Sequence, residues 1–503
     1  MGKDTRHSAG TLRPPHPPIR NPPYADYLYD IYRSRLLASQ LPVATTDPYA
    51  LEDEARRVMS SEVKPNEDGE GAIPARPAAF GYIAGGAGAG TTVEANRRAL
   101  DHVALVPRMM RPGKVKAGTD AATASLRDLR VRLFGGPGRG PPVDLASPVV
   151  MAPVGVQCAY HPDREVGVAG ACAEVGVPFS ISTASSSSIE EIKASLDDTC
   201  VEDSAASPAP APWYQLYWPQ DDAITASLLQ RARAAGCRVL LVTVDTFTIA
   251  WRPTDLDAGY LPFITTNEGN AIGFSDPVFR KKLAEGEPGA EDEEGDGESE
   301  SEPATPENNV LAASLRWTSE VFPRRARPWS DLATLRRLWG DDGAILIKGV
   351  QHPDDALLAR QYGADGVVVS NHGGRQVDGA VGSLEMLPEV VAAVRAAEAR
   401  DAGEAERNGT GPLQPAPFTI LFDSGIRTGS DVIKALCLGA QAVLVGRPVM
   451  YGLGIAGRDG AKHVLAGLLA DLDQTMNLIG CATIADLGPF MLRKGGAAVK
   501  ALL

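Results

Sequence analysis

The sequence predicts an α/β fold, a parallel (β/α)8 TIM barrel with an N-terminal helical extension and a long insertion after the fourth strand. Three observations point there. Eight short runs rich in β-branched residues recur from residue 148 onwards, and Ala/Leu-rich amphipathic stretches alternate with them. These units fill roughly 350 residues, which suits a closed barrel better than an open doubly wound sheet.

In chain order, residues 1–23 are rich in Pro and charge and are expected to form a disordered tail. The helical extension is assigned to 24–120, where YADYLYDIYRSRLL and LEDEARRVMSSEV carry helical spacing, interrupted by the polar KPNEDGEGAIP. The barrel is assigned to 121–503. Its strand candidates are PVVMAP (148–153), VPFSIS (177–182), WYQLYW (213–218), VLLVTVD (239–245), AILIKG (344–349), GVVVSN (ending at Asn371), TILFDS (419–424) and AVLVG (442–446). Helix candidates between them include DREVGVAGACAEVG, DDAITASLLQRARAAG, PDDALLARQYGA, LPEVVAAVRAAEARDA and GSDVIKALCLGA. The alternation breaks between VTVD and ILIKG, where a long segment replaces one helix. Inside it, residues 285–307 hold eleven carboxylates and no Lys or Arg, so the lid insertion at about 285–308 reads as a solvated loop.

The formal charge of −14 owes most of its size to that run. The rest of the chain is close to neutral, which argues against nucleic acid or an anionic membrane as a partner. Six cysteines lie far apart without a C-x-x-C pair or a His/Cys cluster, so neither a disulfide framework nor a metal site is expected. The N-terminal stretch has no apolar core, no segment reaches the length of a membrane span, and Arg6 breaks the myristoylation pattern. A reducing, cytoplasmic setting is the expectation.

On a parallel barrel, chemistry gathers at the C-terminal strand ends. Those ends are polar here: Gln215 and Tyr217 on the third run, Thr243 and Asp245 on the fourth, Lys348 on the fifth, Asn371 and His372 on the sixth, Asp423 on the seventh, and Gly446 with Arg447 after the eighth. Any one could be a satisfied core residue, but six converging ends indicate a site. The sharpest segment is VVVSNHGGRQVDG at 367–379. His372 exchanges a proton near neutral pH, Gly373 and Gly374 allow a tight turn off the strand, and Arg375 offers a fork for a carboxylate. A second segment, FDSGIRTGSDVIKALCLGAQAVLVGRP at 422–448, suggests a phosphate cradle made by the amides around Ser424, Gly425 and Gly446 with Arg427 and Arg447. GGAGAG (85–90) and GGPGRG (135–140) fit no dinucleotide fingerprint and read as turns.

Taken in order, QLY, TVDT, KGV, SNHGGRQ and DSGIRTG resemble the FMN-dependent 2-hydroxy acid dehydrogenases and oxidases, over a stretch from about Tyr24 to the C-terminus. WRPTDLDAGYLPF, DPVFRKK and KGVQHPDDA look more like lactate 2-monooxygenase than glycolate oxidase. The resemblance implies FMN as cofactor, a small lactate-like L-2-hydroxy acid as substrate, O2 or another electron acceptor, oxidative decarboxylation as one outcome, and a homo-oligomer, a tetramer. It makes His372 the base, Asp245 the stabiliser of its imidazolium, and Arg375 and Arg252 the carboxylate ligands, with Tyr217 and Tyr82 bonding the substrate. Lys348 would stabilise charge on reduced flavin, Ser182, Gln215 and Thr243 would bond the ring, Asp423 would hold the ribityl chain, and Gly425, Arg427, Gly446 and Arg447 the phosphate. Two departures stand out: Ala184 occupies a position that is aromatic in plant-type glycolate oxidases, and the acidic insertion aligns with nothing in the family. A different FMN- or phosphate-binding barrel enzyme and a non-catalytic barrel scaffold stay open as alternatives.

Overall fold

The structure is a computed structural model that describes residues 24, 26–62, 73–111, 127–135, 140–202, 210–286, 304–408, 417–495 and 497–498. The expected tail (1–23) and most of the acidic run lie outside the described residues.

Eight parallel strands form the centre: β1 (Val149–Met151), β2 (Ser180–Ser182), β3 (Trp213–Leu216), β4 (Val239–Thr243), β5 (Ala344–Val350), β6 (Gly366–Val369), β7 (Thr419–Phe422) and β8 (Ala442–Val445). Their order is β1-β8-β7-β6-β5-β4-β3-β2. Met151 N donates to the Pro178 carbonyl at 3.0 Å and links the two ends, so the sheet curls into a nearly closed barrel. Strands buried on both faces favour apolar residues, which is why these runs, apart from Ser180 and Thr419, are apolar until their C-terminal ends.

Alternate positions feed two cores. Val150, Trp213, Leu241, Leu346, Val368, Leu421 and Leu444 fill the barrel interior, together with Leu133, Phe134 and Leu145. These last three come from an antiparallel hairpin, Val131–Leu133 with Val143–Leu145, that plugs the interior and was not legible as a strand pair in the sequence. GGPGRG lies in its connection, where Gly135 N meets the Gly140 carbonyl at 3.1 Å. The opposite strand faces pack on the surrounding helices in a second, larger core.

The region before the barrel contributes helices Tyr27–Ala38, Ala50–Met59, Pro77–Ala84 and Thr91–Asp101. Ala55, Met59, Phe80, Ile83 and Leu100 join that larger core, so the extension is packed into the barrel rather than appended to it. Val103–Leu105 also pairs antiparallel with Leu492–Lys494, which ties the extension to the C-terminal end of the chain. The insertion after β4 is bracketed by helices Pro277–Glu285 and Val310–Val321, joined by an edge contact of Phe279 on Trp317 with centroids 5.2 Å apart. Among the described residues, no helix is long and apolar enough to cross a membrane and no group of His, Cys, Asp or Glu could hold a metal ion.

Candidate active site

Strand register brings the polar ends together. Ser182 pairs with Gln215, Thr243 with Lys348, and Val369 with Phe422, so the residues that follow emerge at similar height around one rim. The rim encloses a cavity of 420 Å³. Tyr82, Tyr217, Arg252, Lys348, His372 and Arg375 line it, as do Asp423, Gly425, Arg427, Gly446 and Arg447.

His372 is presented by a turn with three successive left-handed residues, His372 (φ 57°), Gly373 (67°) and Gly374 (76°). A positive φ is costly for a residue with a side chain, so neighbours must hold it. Ser370 Oγ accepts the His372 N–H at 3.0 Å, and Asn371 Oδ1 accepts from Gly374 N at 3.1 Å. The ring then meets Asp245, Nδ1 to Oδ1, at 2.8 Å. Thr246 Oγ1 lies 2.7 Å from the same carboxylate oxygen and 3.0 Å from His372 Nδ1. Gly349 explains the glycine in KGV: its φ is 105° and a Cβ there would come within 2.6 Å of Asp245 Oδ2.

Burial lowers the His372 pKa below the ordinary histidine value, against the pull of Asp245. Burial also works against the Asp245 carboxylate, but His372 and Lys348 outweigh it and bring Asp245 to about 2. The pair is therefore a neutral imidazole beside a carboxylate. Its Nδ1 is committed to Asp245, which leaves Nε2 as the free nitrogen. Burial likewise opposes charge on Lys348, yet Asp423 and Asp245 raise its pKa. Its Nζ sits 3.1 Å from Asp423 Oδ2 and 3.2 Å from Ser370 Oγ.

Ser182, Gln215 and Thr243 do not line the cavity. They form a buried chain next to it, with Ser182 Oγ on Gln215 Oε1 at 2.9 Å and Gln215 Nε2 on Thr243 Oγ1 at 3.1 Å. The arginines divide by partner. Arg375 Nη1 donates to the carbonyls of Tyr82 and Gly85, while Arg447 donates to those of Ile83 (2.8 Å), Gly373 (2.7 Å) and Gly85 (2.9 Å). Tyr82 and Ile83 lie in the last turn of helix Pro77–Ala84 and Gly85 caps it, so the two guanidinium groups satisfy carbonyls that the helix end leaves open. Burial lowers Arg447 to about 10, which leaves it charged at neutral pH. Arg427 donates Nη1 to the carbonyl of its neighbour Ile426 at 3.0 Å and lines the cavity.

Several residues escaped the sequence reading. Thr246 stood inside TVDT without a role. Gln376, the last residue of SNHGGRQ, bonds the Asp245 carbonyl at 2.8 Å and receives Arg252 Nη2 at 2.8 Å. GGAGAG is a turn, as read, but it docks on the site: Ala87 N donates to the Gly374 carbonyl at 2.9 Å. Phe263, at the end of WRPTDLDAGYLPF, and Phe322, which carried no local signal, line the cavity from the insertion.

The sequence model of the family described as FMN-dependent dehydrogenase matches residues 73–494. An FMN-dependent alpha-hydroxy acid dehydrogenase, qulF of Penicillium citrinum, is 43% identical, over 95% of this chain and 97% of its own. A 4-hydroxymandelate oxidase of Amycolatopsis orientalis is 35% identical over 80% of this chain and 90% of its own, and an L-lactate oxidase of Lysinibacillus sphaericus 32% over 84% and 89%. The solved structure of mandelate oxidase with (S)-4-hydroxymandelic acid superposes with a TM-score of 0.63 at 30% identity, covering 90% of this chain and 99% of that one. With the family model spanning most of its length and these relatives matching nearly end to end, the chain belongs to the FMN-dependent dehydrogenase family, enzymes that oxidise 2-hydroxy acids with FMN.

Proposed function

We propose that this flavoenzyme converts an L-2-hydroxy acid to the 2-oxo acid with His372 as the base. The observation that carries this reading is the 2.8 Å His372–Asp245 contact on the wall of a cavity that also holds Arg375 and Arg427.

The residues present fit FMN. Ser424 (φ 84°) and Gly425 (105°) form a left-handed turn after β7, and a Cβ on Gly425 would meet Leu100 Cδ1 at 3.0 Å, so glycine is needed there. That turn and Gly446 border the cavity next to Arg427, and would hold the phosphate; Asp423 would hold the ribityl chain. Lys348 is a buried cation suited to negative charge on the ring, beside the Ser182–Gln215–Thr243 chain. When bound, FMN accepts the two electrons that leave the substrate C2.

The protein's own part is binding and proton handling. Arg375 and Arg252 hold the carboxylate, with Tyr82 and Tyr217 alongside. Neutral His372 takes a proton at Nε2, and the Asp245 carboxylate, ionised throughout, stabilises the resulting imidazolium. Gln376 keeps Arg252 and the Asp245 backbone in one frame.

Oxidative decarboxylation is a second reading for the step with O2. Tyr260, Leu261 and Phe263 of WRPTDLDAGYLPF wall the cavity, which supports a segment that retains the 2-oxo acid. The homo-oligomer, a tetramer, rests on the family resemblance, and the cytoplasmic setting on the scattered cysteines, of which the five described ones are free.

The test is colour. Purified protein should be yellow and bleach anaerobically with L-lactate, glycolate or (S)-mandelate; a colourless protein, or a flavin left oxidised by all three, overturns the reading. In air, stoichiometric 2-oxo acid with peroxide would overturn decarboxylation alone.

A further inference from the structure

The cavity lining has two unlike parts. In one, the guanidinium carbons of Arg375 and Arg252 lie 4.8 and 6.0 Å from the centroid of the Tyr82 ring. The other is aromatic, and apolar apart from the Tyr217 hydroxyl. Val156 N donates to the Ala184 carbonyl at 2.9 Å, and a Cβ on Gly269 would fall 2.9 Å from Phe263 Cε1 and 3.0 Å from Val156 Cγ2. Phe263 and Phe322 have centroids 5.3 Å apart, and Phe322 and Tyr217 5.1 Å. Val156, Ala184, Tyr217, Phe263 and Phe322 line the same cavity as His372.

Phe322 reaches this wall from the insertion. It follows helix Val310–Val321, the stem on the far side of the acidic run. That stem is anchored by Trp317, which packs on Phe279 and sits so close over Gly273 that any Cβ there would collide with its ring. Phe263 and Phe322 are 6% and 7% exposed, so their rings are withheld from water before any substrate arrives. Ala184, small where an aromatic residue would fill the space, leaves the wall open to a guest.

We propose that this aromatic part receives the substrate side chain, that the preferred substrate is a 2-hydroxy acid with an apolar, ring-sized or branched side chain rather than hydrogen or methyl, and that Phe322 sets the size accepted. The proposal rests on the carboxylate-binding and base assignments above. With the carboxylate held by Arg375 and Arg252, the side chain has the aromatic wall available to it. Burying one methylene there is worth about 0.8 kcal/mol, or roughly fourfold in kcat/KM. A charged or hydroxylated side chain would meet only apolar groups at Val156, Ala184, Phe263 and Phe322 and would lose its hydration there.

The experiment compares kcat/KM of the full-length FMN enzyme for glycolate, L-lactate and (S)-mandelate. Wild type should favour (S)-mandelate over glycolate by about 100-fold or more, mostly through KM, as burial of several carbons requires. Phe322→Ala should cut that ratio about tenfold, because truncating a buried ring removes contacts from the bound side chain. Ala184→Phe, which fills the wall from the other side, should cut it too and serves if Phe322→Ala loses flavin. A wild type that prefers glycolate or L-lactate, or a ratio that neither variant moves, overturns the proposal and leaves the oxidation reading intact. Flavin bleached by none of the three acids overturns both.

Discussion

The rim at β4 and β6 is built from bonded side chains, whereas the rim at β7 and β8 is built around glycine turns. At the first, Asp245, Thr246, His372 and Ser370 are joined by side-chain bonds of 2.7 to 3.0 Å, and each has one job. At the second, the left-handed turn at Ser424 and Gly425 and the start of the helix after Gly446 border the cavity, and in the proposed cradle their peptide groups would share the phosphate with Arg427. Proton transfer needs one group at one place, while an anion is held well by many partial charges. Damage should therefore be steep and local on the first rim and shallow on the second.

His372→Gln is the strongest test of that contrast. Removing a general base costs about 10²–10⁴ in rate, yet flavin should stay bound because the phosphate cradle proposed above lies on the other rim. Stopped-flow flavin reduction measures both, and a variant retaining more than a tenth of kcat would break the assignment. Next comes Arg375→Lys, where loss of the two-pronged donor should raise KM by about 10- to 100-fold, given charge-assisted bonds of roughly 1.5–3 kcal/mol. Unchanged KM and kcat would remove Arg375 from the carboxylate site.

Acidity sharpens the comparison further. Since burial holds the His372 pKa below its ordinary 6.5, neutral imidazole prevails at neutral pH, and kcat/KM should be flat there. It should then fall as pH drops through that lowered value, about tenfold per unit once the ring is protonated. A limb well above the ordinary histidine range would contradict it. On the second rim, Arg427→Ala should weaken FMN binding by about tenfold, the lower end of the range for one charge-assisted bond, because the peptide donors of the proposed cradle stay. Flavin fluorescence released on dilution reads this, and complete loss of FMN would mean that the backbone contributes little.

The smallest effect is expected at the insertion. Replacing residues 287–303 with a short Gly/Ser linker should change stability by less than about 0.5 kcal/mol, because the two stems are already joined by Phe279 on Trp317 and by Arg280 with Glu307. Thermal melts of the FMN-bound protein decide it, and an insoluble product would reveal a partner for the run.

The barrel and most of the rim were legible in the sequence for a common reason. Strands buried on both faces favour apolar residues, so the polar residue that ends each run marks both the strand end and the chemistry placed there, as at Lys348, Asp423 and the Asn371–His372 pair. Other features depended on contacts that no local pattern encodes. Thr246 meets a ring 126 positions away, the Leu133–Leu145 hairpin is identified by the interior it fills, and Phe322 reaches the cavity because Trp317 anchors its helix from elsewhere in the insertion. Arg447 shows the division most clearly. Its charge and its place after β8 follow from the sequence, but its donors turn to Ile83, Gly85 and Gly373 because the helix that ends at Ala84 brings unsatisfied carbonyls within reach. Residue type and strand position are local properties of the chain; the partner a buried donor finds depends on which element packs against it, and only the folded structure decides that.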